Sequence, residues 1–205
     1  MLRRPNVPVW IAAAVAVSVA VAIAKISVAR DLDHGLPSAV GAVARVAFIP
    51  FWLSYTGGAW VTLGFRRFVV IRDHARELGL AFAAAIAVHL GLIGWQTLLG
   101  HPPGRGVVII FGVAALLTLA LSVVSIPILS MRLPRVALAR FRFCATTYIA
   151  LASLRDFAIR PQPAVLDYWI AYAPFAALDA LGLAVRALAW VRGVWEPWRS
   201  SAPAR

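Results

Sequence analysis

Four side chains in apolar surroundings carry the chemistry that this sequence offers: His89, Cys144, Asp179 and Arg186. His89 lies inside the apolar run "RELGLAFAAAIAVHLGLIGW" at 76–95. A neutral imidazole can ligate haem iron through one ring nitrogen while the other makes a hydrogen bond. It can equally be a packing residue that is hydrogen-bonded to a neighbouring helix. The residues alone leave both interpretations open.

Asp179 and Arg186 place opposite charges in another apolar segment. Their seven-residue spacing keeps both near one face of a helix. Acids inside a membrane often belong to proton or substrate paths, so one hypothesis is a small-solute or proton transporter that uses Asp179. A simpler interpretation is an internal ion pair in which Arg186 also extends toward the inner surface. We favour it because no second acid lies at that depth.

Cys144 is the single cysteine of the chain. It therefore cannot form an internal disulfide, and a metal or iron–sulfur site made of several cysteines is excluded. A cysteine thiolate can ligate iron, but an apolar environment disfavours its deprotonation.

The remaining histidines lie outside the apolar runs. His74 precedes His89 by fifteen residues, about 22 Å along a helix, so the two are too far apart to share one iron. His101 opens an outer loop and is predicted to be solvated. His34 stands beside Asp31 and Asp33 in "RDLDHG", and we expect a solvated turn there rather than a metal site, because ligand sets are usually more complete.

Composition indicates that lipid is the solvent for most of the chain. Of the 205 residues, 62% are hydrophobic, whereas soluble domains average about 45–50%. The net charge of +12 comes from arginines that lie between apolar runs, which indicates membrane topology rather than nucleic-acid binding. The length leaves no room for a flavin domain, and no Gly-rich phosphate loop is present, so a soluble cofactor would come from a partner.

Hydropathy predicts an all-α membrane protein, a bundle of about six transmembrane helices. A spanning helix needs roughly 20 mostly apolar residues, and the fifth predicted span is the least apolar. We expect the whole chain, 1–205, to form one transmembrane domain. The predicted spans are 7–28, 38–65, 78–99, 106–131, 141–159 and 164–191.

The arginine distribution predicts the orientation of these spans. An even number of spans puts both termini on one side, and cytoplasmic termini give the excess of basic residues inside that the positive-inside rule expects. We also expect the membrane to be a bacterial inner membrane. A cleaved signal peptide is the alternative for the first run, but the run is longer than the usual signal core. The outer segments would hold only Lys25, Arg30, Arg45, Arg105, Arg155 and Arg160.

Helix-breaking and small residues fall inside the predicted spans. Pro50, Pro127 and Pro174 are predicted to be accommodated within helices, because neighbouring helices can satisfy the freed backbone groups. The glycines of "SYTGGAW" at 54–60 predict close helix packing.

A series of short motifs occupies about half of the chain. "TGGAW" stands at 56–60 and "RELGL" at 76–80, with the basic Arg66 and Arg67 between them. His89 follows ten residues after the glycine of the second motif. With these features the chain resembles the ferric-reductase-like transmembrane family, and within it the membrane haem subunits of bacterial methionine sulfoxide reductase systems. The resemblance implies a family core at about 38–160, followed by a sixth helix and a short basic tail at 164–205.

The resemblance also implies a b-type haem whose iron is ligated by His89 and by histidines of the fifth helix. The family carries two such histidines thirteen residues apart, the first of them four residues before a tyrosine. With Tyr148 as that tyrosine, the two positions hold Cys144 and Phe157. Phenylalanine cannot ligate iron, so the ligand set is incomplete and Cys144 is the remaining candidate.

Three functional hypotheses follow. The first is a haem-binding electron-transfer subunit with His89 on the iron, a quinol or flavoprotein electron donor and a partner redox protein. The second is a haem-free membrane scaffold or assembly subunit that retains the bundle. The third is the small-solute or proton transporter with Asp179 at its centre.

Overall fold

A computed structural model of the chain describes residues 6–126, 134–159 and 166–200. Within these ranges the chain is α-helical with no β-strand, as predicted. A 3-10 turn occupies Arg66–Phe68. The α-helices are α1 (Val7–Val28), α2 (Leu32–Thr62), α3 (Val69–Asp73), α4 (Ala75–Leu98), α5 (Arg105–Val124), α6 (Arg135–Ile159) and α7 (Leu166–Ser200).

Among the described residues, five helices are long and apolar enough to cross a membrane: α1, α2, α4, α5 and the Ile170–Gly193 part of α7. They coincide with five of the predicted spans. In both α1 and α5, only 11% of the most apolar stretch is buried inside the protein. The exposed side chains on these two helices are largely branched aliphatic groups, which water solvates poorly. They include Val15, Val17, Val19, Ile23, Ile109, Val113, Leu116 and Leu119.

The fifth predicted span coincides with α6, which differs from the other long helices in composition. α6 has 25 residues, a length that fits a membrane span. It is not among the five apolar helices, because Arg140, Arg142, Arg155 and Asp156 interrupt its apolar sequence. The fourth predicted span is shorter than expected, since α5 ends at Val124.

The internal prolines are accommodated as predicted. α2 continues through Pro50, and also through Pro37, while α7 continues through Pro174. Proline removes one backbone donor and crowds the preceding turn, so an uninterrupted helix needs support from packing around it. Pro127 lies outside the described residues.

The chain divides into two compact units. Unit 1 comprises Met1–Phe51 and Arg76–Ala152, and unit 2 comprises Trp52–Ala75 and Ser153–Arg205. α2 and α6 contribute residues to both units. The core of unit 1 joins α1, α2 and α4 through small and branched side chains whose close approach increases dispersion contacts. These are Ala22, Leu36, Ala39, Val43 and Leu92.

Unit 2 is held by close contacts between α2 and α7. The Trp52 indole Nε1–H donates a hydrogen bond to the backbone carbonyl of Leu178 at 2.6 Å. A Cβ built on Gly182 would lie 2.9 Å from Trp52 Nε1 and 3.2 Å from Thr56 Cγ2. Only glycine therefore lets the two helices come this close without a shift of the tryptophan.

A second glycine of unit 2 confirms the packing predicted for "SYTGGAW". A Cβ on Gly57 would lie 2.8 Å from Ile71 Cγ2, so the missing side chain makes room for α3. The neighbouring Gly58 has no atom within 4 Å of such a Cβ. One glycine of the pair is thus required by packing, and the other faces open space.

Replacing Gly182 with alanine is expected to destabilise the chain by about 1–3 kcal/mol, because overpacking forces Trp52 out of its hydrogen bond. The matched control is Gly193→Ala on the same helix, where a Cβ meets nothing within 4 Å. That change should be neutral or slightly stabilising, since alanine favours helix by about 1 kcal/mol. The thermal unfolding midpoint of the detergent-purified chain measures both. Equal midpoints for the two variants would contradict the close α2–α7 contact.

Candidate functional site

His89 is half-buried on α4, where the sequence predicted an imidazole at membrane depth. Its Nδ1 lies 3.1 Å from the backbone carbonyl oxygen of Val40 on α2. In the neutral ring Nδ1–H is therefore the donor, and the lone pair resides on Nε2. Ala85 and Leu92, one turn away on either side, are buried. His89 thus ties α4 to α2 inside unit 1.

The hydrogen bond of His89 fits both interpretations of this residue. Metal-bound histidines commonly donate their second ring N–H to a backbone carbonyl, which fixes the tautomer. The same hydrogen bond also explains a histidine whose role is only to hold two helices together. The second ligand position therefore decides whether the ring can belong to a haem site.

One of the two further positions that the family resemblance assigns to haem ligands, Phe157, serves packing in this structure. Phe157 is buried, and its ring centroid lies 5.6 Å from that of Phe175 and 6.2 Å from that of Tyr172. This aromatic cluster packs α6 against α7 in unit 2. Phenylalanine has no atom that could ligate a metal in any rotamer. This position therefore contributes to packing.

Cys144 is a free cysteine that is exposed on the surface of α6. Among the residues that the structure describes, no group of three or more His, Cys, Asp and Glu side chains is arranged to hold a metal ion. The haem that the resemblance implies would take ligands from the fifth helix as well as His89, and those positions hold Phe157, which cannot ligate iron, and the exposed Cys144. Of the positions that the resemblance assigns to ligands, only His89 holds an imidazole, and it is half-buried. The residues present do not fit the haem site that the resemblance implies.

Asp179 is completely buried on α7, and the predicted ion pair with Arg186 does not form. Neither carboxylate oxygen of Asp179 has a hydrogen-bond partner. The prediction is wrong because Arg186 finds a different partner on α2. Its Nη1–H donates to the backbone carbonyl of Tyr55 at 3.2 Å, and its guanidinium carbon lies 4.4 Å from the centroid of the Tyr55 ring.

The residues of α2 that surround this part of α7 were missed by sequence reasoning. Trp52, Tyr55 and Thr56 line one face of α2, and Tyr55 and Thr56 are buried. The hydroxyl of Thr56 donates to the carbonyl of Trp52 at 2.8 Å. Their spacing is that of one helical face, but nothing in the sequence says that this face meets α7, because the two segments are separated by more than a hundred residues.

The polar residues near the start of α2 form a solvated cluster in unit 1, in line with the sequence. His34 donates to Asp31 from its backbone N–H at 2.8 Å and from its ring at 2.7 Å. The side-chain hydrogen bond is the main cause that lowers the pKa of the Asp31 carboxyl from its usual range. His101 comes within 3.7 Å of Asp33, a contact that the spacing did not predict. All four side chains are exposed.

His74 also makes a local contact and has no part in a metal site of the described residues. Its ring Nδ1–H donates to the carbonyl of Val70 at 2.8 Å, one turn earlier. Beside it in the chain, Arg72 pairs with Asp73 at 3.0 Å. The basic segment between α2 and α4 is thus organised by short-range contacts.

Comparisons of the chain with models of known protein families, with curated proteins and with solved structures found no match. Its class is therefore defined by its own helices and side chains, as an all-α protein with five long apolar helices. Within it, the candidate functional residues fall in two places, His89 in unit 1 and Asp179 with Arg186 in unit 2.

Replacing His89 with alanine is expected to lower the free energy of unfolding by about 1 kcal/mol, the usual value of one hydrogen bond. The matched control is His101→Ala, because that side chain is 59% exposed and surface changes usually stay within about 0.5 kcal/mol. Thermal unfolding of the purified full chain compares the two variants. An unchanged midpoint for His89→Ala would show that the bond to Val40 contributes nothing to the packing of α4 on α2.

Proposed function

We propose that the chain is an integral protein of the bacterial inner membrane, with six spans and both termini in the cytoplasm. Five long apolar helices support the membrane setting, since their outward-facing aliphatic side chains require an apolar solvent. The sixth span is α6, whose arginines lie mainly toward its ends, as Arg140, Arg142 and Arg155 do. Such side chains can extend to the headgroups while their stems stay in the hydrocarbon.

Cysteine labelling tests this topology, because Cys144→Ser removes the single native thiol. In that background Gly104→Cys is expected to react with a membrane-impermeant maleimide added to intact spheroplasts. Asp73→Cys and Ala204→Cys are expected to react only after lysis. An Ala204→Cys that reacts in intact spheroplasts would mean that α6 does not cross. Reaction of both Asp73→Cys and Gly104→Cys before lysis would mean that α4 does not cross, which would contradict the proposed topology.

We further propose that the bundle serves as a haem-free scaffold or assembly subunit of a membrane complex, a relative of the ferric-reductase-like proteins. The observation that carries this proposal is the use of the expected ligand positions for packing. His89 ties two helices together through the Val40 carbonyl, and Phe157 belongs to an aromatic cluster. A chain that had kept the family's haem would be expected to keep a ligand at one of these fifth-helix positions.

The scaffold proposal takes precedence over a haem-binding electron-transfer subunit, the other function that the family resemblance implies. In that case a quinol or flavoprotein would supply electrons and a partner redox protein would receive them. The second ligand would then be Cys144, which is exposed, or a ligand from outside the chain. As a scaffold the chain needs no electron donor, and its partners are the lipid bilayer and the other subunits of the complex.

An absorption spectrum decides between the two functions. The full chain is produced in cells supplied with ample haem precursor, purified in detergent, and measured oxidised and after reduction with dithionite. We expect no haem bands in the wild type and a negative haem extraction assay, because the donor set is incomplete. Stoichiometric haem that is lost in His89→Ala and retained in His74→Ala would overturn the scaffold proposal in favour of electron transfer.

A further inference from the structure

The carboxyl group of Asp179 is an isolated acid in the middle of an apolar helix. The residue is completely buried and lies within Ile170–Gly193, the part of α7 that is apolar enough to span a membrane. Neither of its oxygens accepts a hydrogen bond. Burying a polar side chain without any hydrogen bond costs free energy. We therefore expect this carboxyl group to bind a ligand.

The donors around this turn of α7 are already committed to backbone carbonyls. The Trp52 indole N–H is bound to the carbonyl of Leu178, the residue next to Asp179. The Thr56 hydroxyl is bound to the carbonyl of Trp52. Arg186 is bound to the carbonyl of Tyr55 and lies over its ring. Each of these groups would have to leave a present partner in order to reach the carboxyl group.

The charged and titratable groups of the neighbouring elements do not neutralise Asp179. Its own helix contributes Arg186 and Tyr172, α2 contributes Tyr55, and α6 contributes Arg155 and Asp156 in unit 2. Within the part of the chain that the structure describes, Asp179 has no ion pair or hydrogen bond. An ionised carboxylate in such a place costs far more free energy than the neutral acid does. In this arrangement the group therefore carries its proton.

We propose that Asp179 is a proton-binding site inside the helical bundle, and that Arg186 exchanges the Tyr55 carbonyl for the Asp179 carboxylate when the proton leaves. Proton release converts the neutral acid into an anion, and the proton passes to water. The guanidinium, which keeps its charge throughout, then compensates the new negative charge. This activity goes beyond a scaffold and belongs to proton-linked transport of a proton or small solute through the bundle.

The geometry of α7 permits the exchange. Seven residues separate Asp179 from Arg186, which is a rise of about 10.5 Å along the helix. Side chains on a helix incline toward its N-terminus, so the arginine points from its own turn toward that of Asp179. Its long flexible stem spans most of this rise. The present partner of Arg186 is a neutral carbonyl, which a carboxylate outcompetes as an acceptor.

Infrared spectroscopy of the full chain in lipid nanodiscs tests the proton site. We expect the carbonyl stretch of a protonated carboxylic acid at neutral pH, with a downshift in heavy-water buffer. Asp179→Asn should abolish the band, and the exposed Asp73→Asn should leave it unchanged. Glu77→Gln is the second control, because Glu77 is the other buried acid of the described residues.

Isotope labelling keeps the test independent of the variants' folding. Aspartate labelled with carbon-13 in the unmodified chain should shift the band, whereas labelled glutamate should not. Absence of any acid band at neutral pH, or a band that only labelled glutamate shifts, would overturn the assignment to Asp179. A band that persists to the most alkaline buffer the chain tolerates would refute reversible binding.

The partner exchange has its own test in Arg186→Gln. In the wild type the acid band should fade as the buffer is made alkaline, because the guanidinium stabilises the carboxylate that forms. In Arg186→Gln the band should persist at pH values where the wild type has lost it, since the neutral amide supplies no charge. Arg192→Gln is the matched control, because Arg192 donates to the carbonyl of Leu63 instead. Identical fading in Arg186→Gln and wild type would refute the exchange.

Discussion

Hydrogen bonds from side chains to backbone carbonyls of another helix are the interaction on which this bundle depends. Long apolar helices exclude water from their contacts, so a buried donor has to find its acceptor inside the protein. The carbonyls of helices already accept one bond each, and their second lone pair is the acceptor most often available. The chain uses this device for an indole, an imidazole, a phenol and a guanidinium. The four bonds are Trp52 to Leu178, His89 to Val40, Tyr148 to Ile110, and Arg186 to Tyr55.

The buried acid on α7, Asp179, cannot be satisfied by backbone carbonyls. Donors can be satisfied by carbonyls, but a carboxyl group needs donors, and an α-helix offers none from its interior backbone. Asp179 is a group that this pattern cannot serve, and neither of its oxygens has a hydrogen-bond partner among the described residues. The same preference draws Arg186 to the Tyr55 carbonyl and ring and leaves the acid without a counterion. An acid and a base on one helix face can therefore remain separate when the acid holds a proton.

Small side chains decide how near the helices come and so which bonds can form. Gly182 lets Trp52 approach α7 closely enough for its indole to reach a backbone carbonyl. In unit 1, small core residues such as Ala39 and Ala22 allow α1, α2 and α4 to meet. In the membrane setting that we propose, the hydrophobic effect does not drive helices together, and close packing with dispersion contacts takes its place. The histidine bond of unit 1 depends on this closeness as well.

The sequence by itself determined the helices. Apolar content over some twenty residues is a local property, so it can be recognised without knowing how the segments pack. The sequence also predicted where the apolar helices lie, that helices continue through Pro50 and Pro174, and that the chain packs closely at Gly57. Candidate residues such as His89 were found from their depth in an apolar run. Only the tertiary structure decided their partners. The rotation and register of each helix select which carbonyl meets which donor, and these depend on packing between segments far apart in the chain. The ion pair expected for Asp179 was therefore wrong, although the helix that carries it was right.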